Sequence, residues 1–259
     1  MDLSLITVPT VITFFLMLFR VSGMFLAMPV FSGTGIPQQV KIGLSIGVLL
    51  VLFPFYATAK SYVVPKDVIQ FTVLAVQELG IGFLIGFAAD LLFAGVRMAG
   101  EYLSVQMGIS VANVLDPQTG TQIPILSQVY AMTATILFLN LNIHHGLIVA
   151  LNRSFQLIPL GHPWPSMELI TARYLDLSSH IFLVAFYLGI PVLGVLFVTE
   201  VGLAFVAKVN PQMNIFMVAL PLKVILGLTL IASAMPFTLD FLSKQYASLI
   251  QQVMVLYKA

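Results

Sequence analysis

The chain has no cysteine among its 259 residues, and only 8% of them are charged. The absence of cysteine excludes disulfides and thiolate metal sites. A soluble globular domain carries about 25% charged residues, whereas here hydrophobic residues reach 59% of the chain. The mean hydropathy of +1.05 therefore indicates a membrane-associated protein.

Basic residues are also scarce, and they do not cluster. The net charge is +1, and no basic block exists that could form a phosphate-binding surface. The composition therefore predicts no nucleic-acid partner. The opening residues, MDLSLITVPT, contain no lysine or arginine. A cleaved signal peptide needs a positively charged first region, so we expect the first apolar segment to stay in the mature chain.

Six long apolar segments account for the high hydropathy. Each approaches or exceeds the roughly 20 residues that a helix needs to cross a hydrocarbon core. None shows the alternating period of a barrel strand, so the prediction is an all-α membrane protein. The segments cover residues 8–31, 42–58, 68–96, 128–151, 177–207 and 215–239.

Prolines lie inside these segments or at their edges. Because proline removes a helix hydrogen bond and crowds the preceding turn, we expect about six kinked or broken helices. The prolines concerned are Pro29, Pro54, Pro191, Pro221 and Pro236.

Charged residues within the apolar segments are the first candidates for a site. Such charges are costly in a membrane, so they should face other protein or a wet cavity. They are Arg20, Glu78, Asp90, Glu200 and Lys223.

One face of the third segment combines two of these acids with two glycines. Glu78, Gly82, Gly86 and Asp90 recur every four residues, which places them along one side of a helix. The Gly82–Gly86 pair is a GxxxG motif, which allows another backbone to approach closely. The residues alone leave two interpretations open, namely packing within this chain and contact with a partner.

No motif in the sequence supports catalysis. HExxH, P-loop and GxGxxG motifs are absent, and we predict no catalytic, cofactor-binding or metal-binding residue. The adjacent His144 and His145 would point about 100° apart on a helix, which suits packing better than a shared metal. Buried charges and broken helices also occur in secondary transporters. A self-contained transporter or channel with a site at the buried charges is therefore the alternative to a subunit of a larger channel.

The segment MGISVANVLDPQTGTQ, residues 107–122, is unusual for a connection between two apolar segments. It is long, and its one charge is Asp116. Glycines give it a flexible backbone, and the Asp116–Pro117 pair favours a turn. An ordered connector packed on its own subunit is the simpler interpretation of these residues. An uncharged loop can also pack in a hydrophobic constriction and exclude water from it.

Several stretches, taken in order along the chain, resemble a known family. They are LFRVSGMFLAMPVFSGTGIPQQVKIGL, QELGIGFLIGFAADLLFAGVRMAGEYLSVQMG, DPQTG, LNIHHGLIVALNRSFQLIPLG and VNPQMNIFMVALPLKVILGL. Their order, spacing and coverage of essentially the full length resemble the R subunits of the flagellar type III export gate (the FliR family), whose injectisome counterpart is SctT.

This resemblance implies an architecture and a set of partners. In that family the R subunit joins P and Q subunits in a helical, ring-like assembly around a pore for unfolded export substrates, and its helices form bent hairpins. Residues 1–259 would form one gate subunit, with 1–170 similar to a P subunit and 171–259 similar to a Q-subunit hairpin. The expected partners are the P and Q subunits, exported unfolded proteins and membrane lipid. The B-type switch subunit and the export ATPase with the nonamer apparatus would be indirect partners, and the location would be the bacterial inner membrane in the flagellar basal body.

The resemblance also assigns a role to the 107–122 segment. In this family the loop after the third hydrophobic segment projects into the pore and plugs it, so the resemblance favours a plug over a simple connector. Carried onto this sequence, the plug residues are Met107, Gly108, Ile109, Val111, Val114, Leu115, Asp116, Pro117 and Gly120. The expected helix-packing or interface residues are Arg20, Glu78, Gly82, Gly86, Asp90 and Lys223.

Overall fold

The computed structural model of the protein describes residues 8–33, 35–56, 65, 67–110, 124–162 and 167–255. Within these ranges the regular structure consists of eight helices and no strand, which confirms the all-α prediction. The helices are α1 (Val8–Ala27), α2 (Pro29–Ser32), α3 (Gln38–Tyr56), α4 (Val68–Gln106), α5 (Ile125–Asn140), α6 (Ile143–Leu157), α7 (Met167–Val209) and α8 (Ile215–Val255).

Five of these helices, α1, α3, α4, α7 and α8, are long and apolar enough to cross a membrane. Helices α5 and α6 could form a sixth span together, although they are bent by 65° relative to each other. The predicted single segment 128–151 is therefore two helices. The backbone of Asn142 at the bend is left-handed, with φ 55°, a conformation that asparagine adopts more readily than most residues and that ends a right-handed helix.

Three helices are far longer than their apolar segments. Helices α4, α7 and α8 contain 39, 43 and 41 residues, and at about 1.5 Å per residue each is about 60 Å long. The hydrocarbon core of a bilayer is only about 30 Å thick. A large part of each helix must therefore lie outside the hydrocarbon or against other protein.

The prolines act differently at different positions. Pro29 follows a break at Met28 and begins α2, where its missing N–H leaves no helical hydrogen bond unmade. Pro54, Pro191, Pro221 and Pro236 lie inside α3, α7 and α8, which continue past them. The expected break thus occurs at Pro29, whereas at the other positions the hydrogen bonds on either side maintain the helix.

The chain divides into two compact units, and each is assembled from separate parts of the sequence. The first unit contains residues 1–91, 142–177 and 246–259, so it includes α1, α2, α3, α6 and the first part of α4. Helix α1 packs against α3. The buried core of this unit includes Leu16, Met17, Val21, Met24, Leu49, Ile81, Ile85, Leu147 and Leu151.

The glycine face of α4 packs against α1 of the same chain. A Cβ atom on Gly82 would overlap the carbonyl of Arg20, and one on Gly86 would overlap the carbonyl of Met24. On the opposing helix, a Cβ on Gly23 would overlap the carbonyl of Leu79. The two backbones are therefore in direct contact, and of the two open interpretations the structure favours packing within this chain.

The second unit contains residues 92–141 and 178–245, which include the end of α4, all of α5 and most of α7 and α8. Helices α7 and α8 form an antiparallel hairpin, because Tyr187 stacks on Phe241 at 5.5 Å between ring centroids and Glu200 pairs with Lys223. Helix α5 packs closely on α4, where the Ser127 hydroxyl donates to the Arg97 carbonyl at 3.0 Å. The division at residue 170, which rests on likeness to P and Q subunits, is a separate matter and stays a prediction.

We expect Gly86→Leu to destabilise the protein, because a side chain at this position must displace the α1 backbone. Overpacking of this kind costs about 1–3 kcal/mol or more. Thermal unfolding in detergent measures the effect as a lowered Tm. Gly47→Leu is the matched control, because a Cβ at Gly47 meets no atom within 4 Å. Equal Tm values for the two variants would contradict close packing at this face.

Candidate functional site

Two clusters of polar and charged side chains occur in the described helices, one in each unit. In the first unit, Arg20 on α1 and Glu78 on α4 form an ion pair with Nε 2.5 Å from Oε2. Their side chains are 0% and 2% exposed. A fully buried charge is stable only when it is paired and its remaining polar atoms are hydrogen-bonded.

The surroundings of this ion pair supply most of those hydrogen bonds, while Arg20 Nη2 is buried without a hydrogen-bond partner. Arg20 Nη1 donates to the carbonyl oxygen of Ile158 at 3.0 Å and to Ser154 Oγ at 3.3 Å. The guanidinium carbon also lies 4.6 Å from the ring centroid of Phe155, a favourable cation–π arrangement. Glu78 Oε1 accepts the backbone N–H of Gly161 at 3.0 Å. The pair therefore fastens α1, α4 and the segment at the end of α6 together.

The second cluster lies in the second unit and consists of Gln106, Glu200 and Lys223. Gln106 Nε2 donates to Glu200 Oε2 at 3.0 Å, and Lys223 Nζ bonds to Glu200 Oε1. The side chain of Lys223 is 14% exposed and that of Glu200 is 41% exposed. The three residues border a largely apolar cavity of about 390 Å³, whose lining also includes Gly108 and Phe216.

This cluster lies where the predicted plug loop begins. Helix α4 ends at Gln106, and Gly108 then takes φ 79°, a left-handed conformation that favours glycine. Met107 is completely buried. Its Sδ lies 2.6 Å from the position that a Cβ on Gly227 would occupy, so only glycine fits there without displacement. The first residues of the loop are therefore held against α8.

Of the remaining predicted plug residues, one is described and the others lie outside the described part of the chain. Ile109 is described and is half-buried. The residues outside the described ranges are Val111, Val114, Leu115, Asp116, Pro117 and Gly120. Asp90, predicted to share a face with Glu78, lies half-buried further along α4.

Sequence reasoning identified the buried charges but not their pairings. Arg20 and Glu78 are 58 residues apart in the chain, and the useful signal was that opposite charges inside apolar segments tend to pair. Gln106 and Gly227 were missed. Nothing in the sequence distinguishes Gly227, where an added Cβ would overlap Met107, from Gly47, where an added Cβ would meet no atom within 4 Å.

The chemistry of both clusters is that of structural ion pairs. Among the described residues, no three His, Cys, Asp or Glu side chains come together in a way that could hold a metal ion. The rings of His144 and His145 contact each other, with centroids 4.2 Å apart. Each carboxylate of the two clusters is instead paired with a cation of the same unit.

We expect Glu78→Ala to be strongly destabilising, because it leaves the Arg20 charge buried without its partner. The loss of one member of a buried pair costs about 3–5 kcal/mol, whereas replacing both members with apolar residues costs less. The double variant Arg20→Met/Glu78→Leu should therefore unfold at a higher temperature than Glu78→Ala.

Asp240→Ala is the control for this prediction, since Asp240 pairs with Lys244 on an exposed helix surface. Such a pair contributes only about 0.3–0.5 kcal/mol. A Glu78→Ala variant as stable as Asp240→Ala would show that the buried pair does not hold the first unit together.

The sequence matches the family of bacterial export proteins, family 1, over residues 11–249. It is 32% identical to the flagellar biosynthetic protein FliR of Bacillus subtilis (strain 168) over 213 residues, covering 82% of this chain and 81% of that protein. It is also 32% identical to FliR of Escherichia coli (strain K12) over 229 residues, covering 88% and 86%. The Yop proteins translocation protein T of Yersinia pestis is 28% identical over 217 residues, covering 82% and 81%. The resemblance found in the sequence is thus confirmed, and the chain belongs to the bacterial export proteins, family 1, together with its FliR relatives.

Proposed function

We propose that this chain is the R-type subunit of a type III protein export gate and that its 107–122 loop plugs the export pore. The observation that supports this most directly is the placement of the loop in a chain related to FliR over most of its length. The loop starts from a backbone turn at Gly108, next to a charged cluster and an apolar cavity. The length and near neutrality of the loop fit a plug as well as a simple connector, and the family resemblance favours the plug.

Exposed apolar surface supports a role within a larger assembly. In the most apolar 18-residue stretch of α7, the chain itself buries only 33% of the residues. In the corresponding stretch of α8 it buries only 11%. Large apolar patches of this kind mark contacts with membrane or protein. Representative exposed residues are Phe182, Phe197, Phe205, Phe216, Met217 and Ile225.

The proposed partners follow from this surface and from the family. Protein subunits of the P and Q types would cover part of it, and lipid of the bacterial inner membrane would cover the rest. Because α4, α7 and α8 are about twice as long as a hydrocarbon core is thick, protein contacts are needed beyond the bilayer. The proposed location is the flagellar basal body, and the proposed substrates are unfolded exported proteins. The B-type switch subunit and the export ATPase would be indirect partners.

A self-contained transporter is less well supported. Such a protein needs buried charges that are available to a substrate or a coupling ion. Here Arg20 and Glu78 neutralise each other in a buried ion pair, and Lys223 is paired with Glu200. Neither cluster therefore presents an uncompensated charge.

The composition of the loop suits reversible closure. Apolar side chains can fill a constriction and block ions by excluding water. A loop with a single charged residue can also leave the pore without leaving a charge buried and unpaired. Because the loop is almost uncharged, it can leave the constriction without breaking an ion pair there.

We expect deletion of residues 110–121 to leave the assembly intact and to make the closed pore leak ions. Conductance of the purified assembly in planar lipid bilayers measures the leak. Replacing the same residues with an equal length of glycine and serine is the matched control for loop length, and it should leak as well because the apolar seal is gone. An intact assembly that lacks residues 110–121 and conducts no more than the unmodified one would refute the plug role.

A further inference from the structure

We propose that Glu200, Lys223 and Gly227 form a clamp that holds the root of the plug loop, Gln106–Gly108, on α8, and that opening of the pore requires this clamp to release. This inference rests on the proposed plug function and deepens it. It assigns to three residues outside the loop the task of setting how firmly the loop stays closed.

The polar half of the clamp is the contact between Glu200 and Gln106. The Glu200 carboxylate accepts the Gln106 amide with one oxygen and bonds to Lys223 Nζ with the other. Hydrogen bonds to a charged group are stronger than those between neutral groups. Lys223 fixes the carboxylate in place and balances its charge, so Glu200 can hold the last residue of α4.

The apolar half of the clamp is the socket at Gly227. The Cγ, Sδ and Cε atoms of Met107 all lie within 2.8 Å of the position that a Gly227 Cβ would occupy. Met107 is 0% exposed, so its side chain is buried at this contact. About two turns closer to the start of α8, Leu220 Cδ2 lies 2.5 Å from the Cβ position of Gly108.

The surroundings explain why release is feasible. The root borders the cavity of about 390 Å³ through Val105, Gln106 and Gly108, and Phe216 lines the same cavity. The backbone N–H groups of Met107 and Gly108 donate to the carbonyls of Leu103 and Val105, so the root is continuous with α4. The clamp contacts hold it on α8, and the cavity gives it space to move away.

Weakening the polar half should increase the leak of the closed pore. Glu200→Gln keeps an acceptor but removes the charge that strengthens its bond to Gln106, and Lys223→Met removes the group that fixes the carboxylate. A charge-assisted hydrogen bond is roughly twice as strong as a neutral one, a difference that shifts an equilibrium by about tenfold. We therefore expect Glu200→Gln and Lys223→Met to raise the conductance of the purified assembly in planar bilayers by about tenfold. Asp240→Asn and Lys244→Met make the same chemical changes in an exposed ion pair of α8, and they should leave the conductance unchanged.

A disulfide between residues 107 and 227 tests the apolar half directly. The chain has no native cysteine, so Met107→Cys/Gly227→Cys introduces a single possible pair. A cysteine sulfur takes the place of the Met107 Cγ, which lies 2.8 Å from the Cβ position at residue 227, within the reach of a disulfide. In a Glu200→Gln background, oxidation should return the conductance to that of the unmodified assembly, and a reductant should restore the leak. The single cysteine variants are the controls.

The outcomes separate the clamp from the plug. If the 110–121 deletion leaks while intact assemblies carrying Glu200→Gln or Lys223→Met conduct normally, the clamp is refuted and the plug stands. If the deletion does not leak, both fall. Should the Glu200 variants not assemble, the cysteine pair in the otherwise native chain decides the matter. Oxidation should then stop protein export and a reductant should restore it, whereas export unaffected by a formed disulfide would overturn the clamp.

Discussion

The buried Arg20–Glu78 ion pair is the constraint on which the first unit depends. It brings a guanidinium and a carboxylate into contact inside an apolar core, where both charges would otherwise be very costly. Their remaining hydrogen bonds reach Ser154, Ile158 and Gly161, so α1 and α4 must meet the end of α6 in one arrangement. The glycine contacts between α1 and α4 then let the two backbones come close enough for the pair to form.

The helices of this protein were largely predictable, because long apolar segments in a membrane protein can hardly be anything else. The ends of the helices were not. Hydropathy falls where charged residues begin, yet α4 continues to Gln106 and α7 starts as early as Met167, since charged residues are good helix formers. The bend at Asn142 was not predicted within the 128–151 segment, because a single residue with a left-handed backbone does not change the apolar pattern around it.

The candidate site residues were also predictable only in part. Charges inside apolar segments singled out candidate residues, but a pairing with a partner many residues away is a property of the fold. The candidates were Arg20, Glu78, Asp90, Glu200 and Lys223. The plug assignment came from the family resemblance, because composition alone favoured a simple connector. The structure contributes what neither could supply, namely the contacts of the loop root with Glu200 and Gly227.

The central claim is that this chain functions inside a multisubunit export gate, and the composition of its native particle tests that claim most directly. The chain would be tagged, extracted mildly from its native membranes, and analysed by mass spectrometry of the intact particle and of its components. We expect one large particle that contains this chain together with small helical subunits of the P and Q types. Recovery of the chain alone, as a monomer or homodimer that transports a solute, would contradict it and would make Glu78, Asp90 and Lys223 candidates for a transport site.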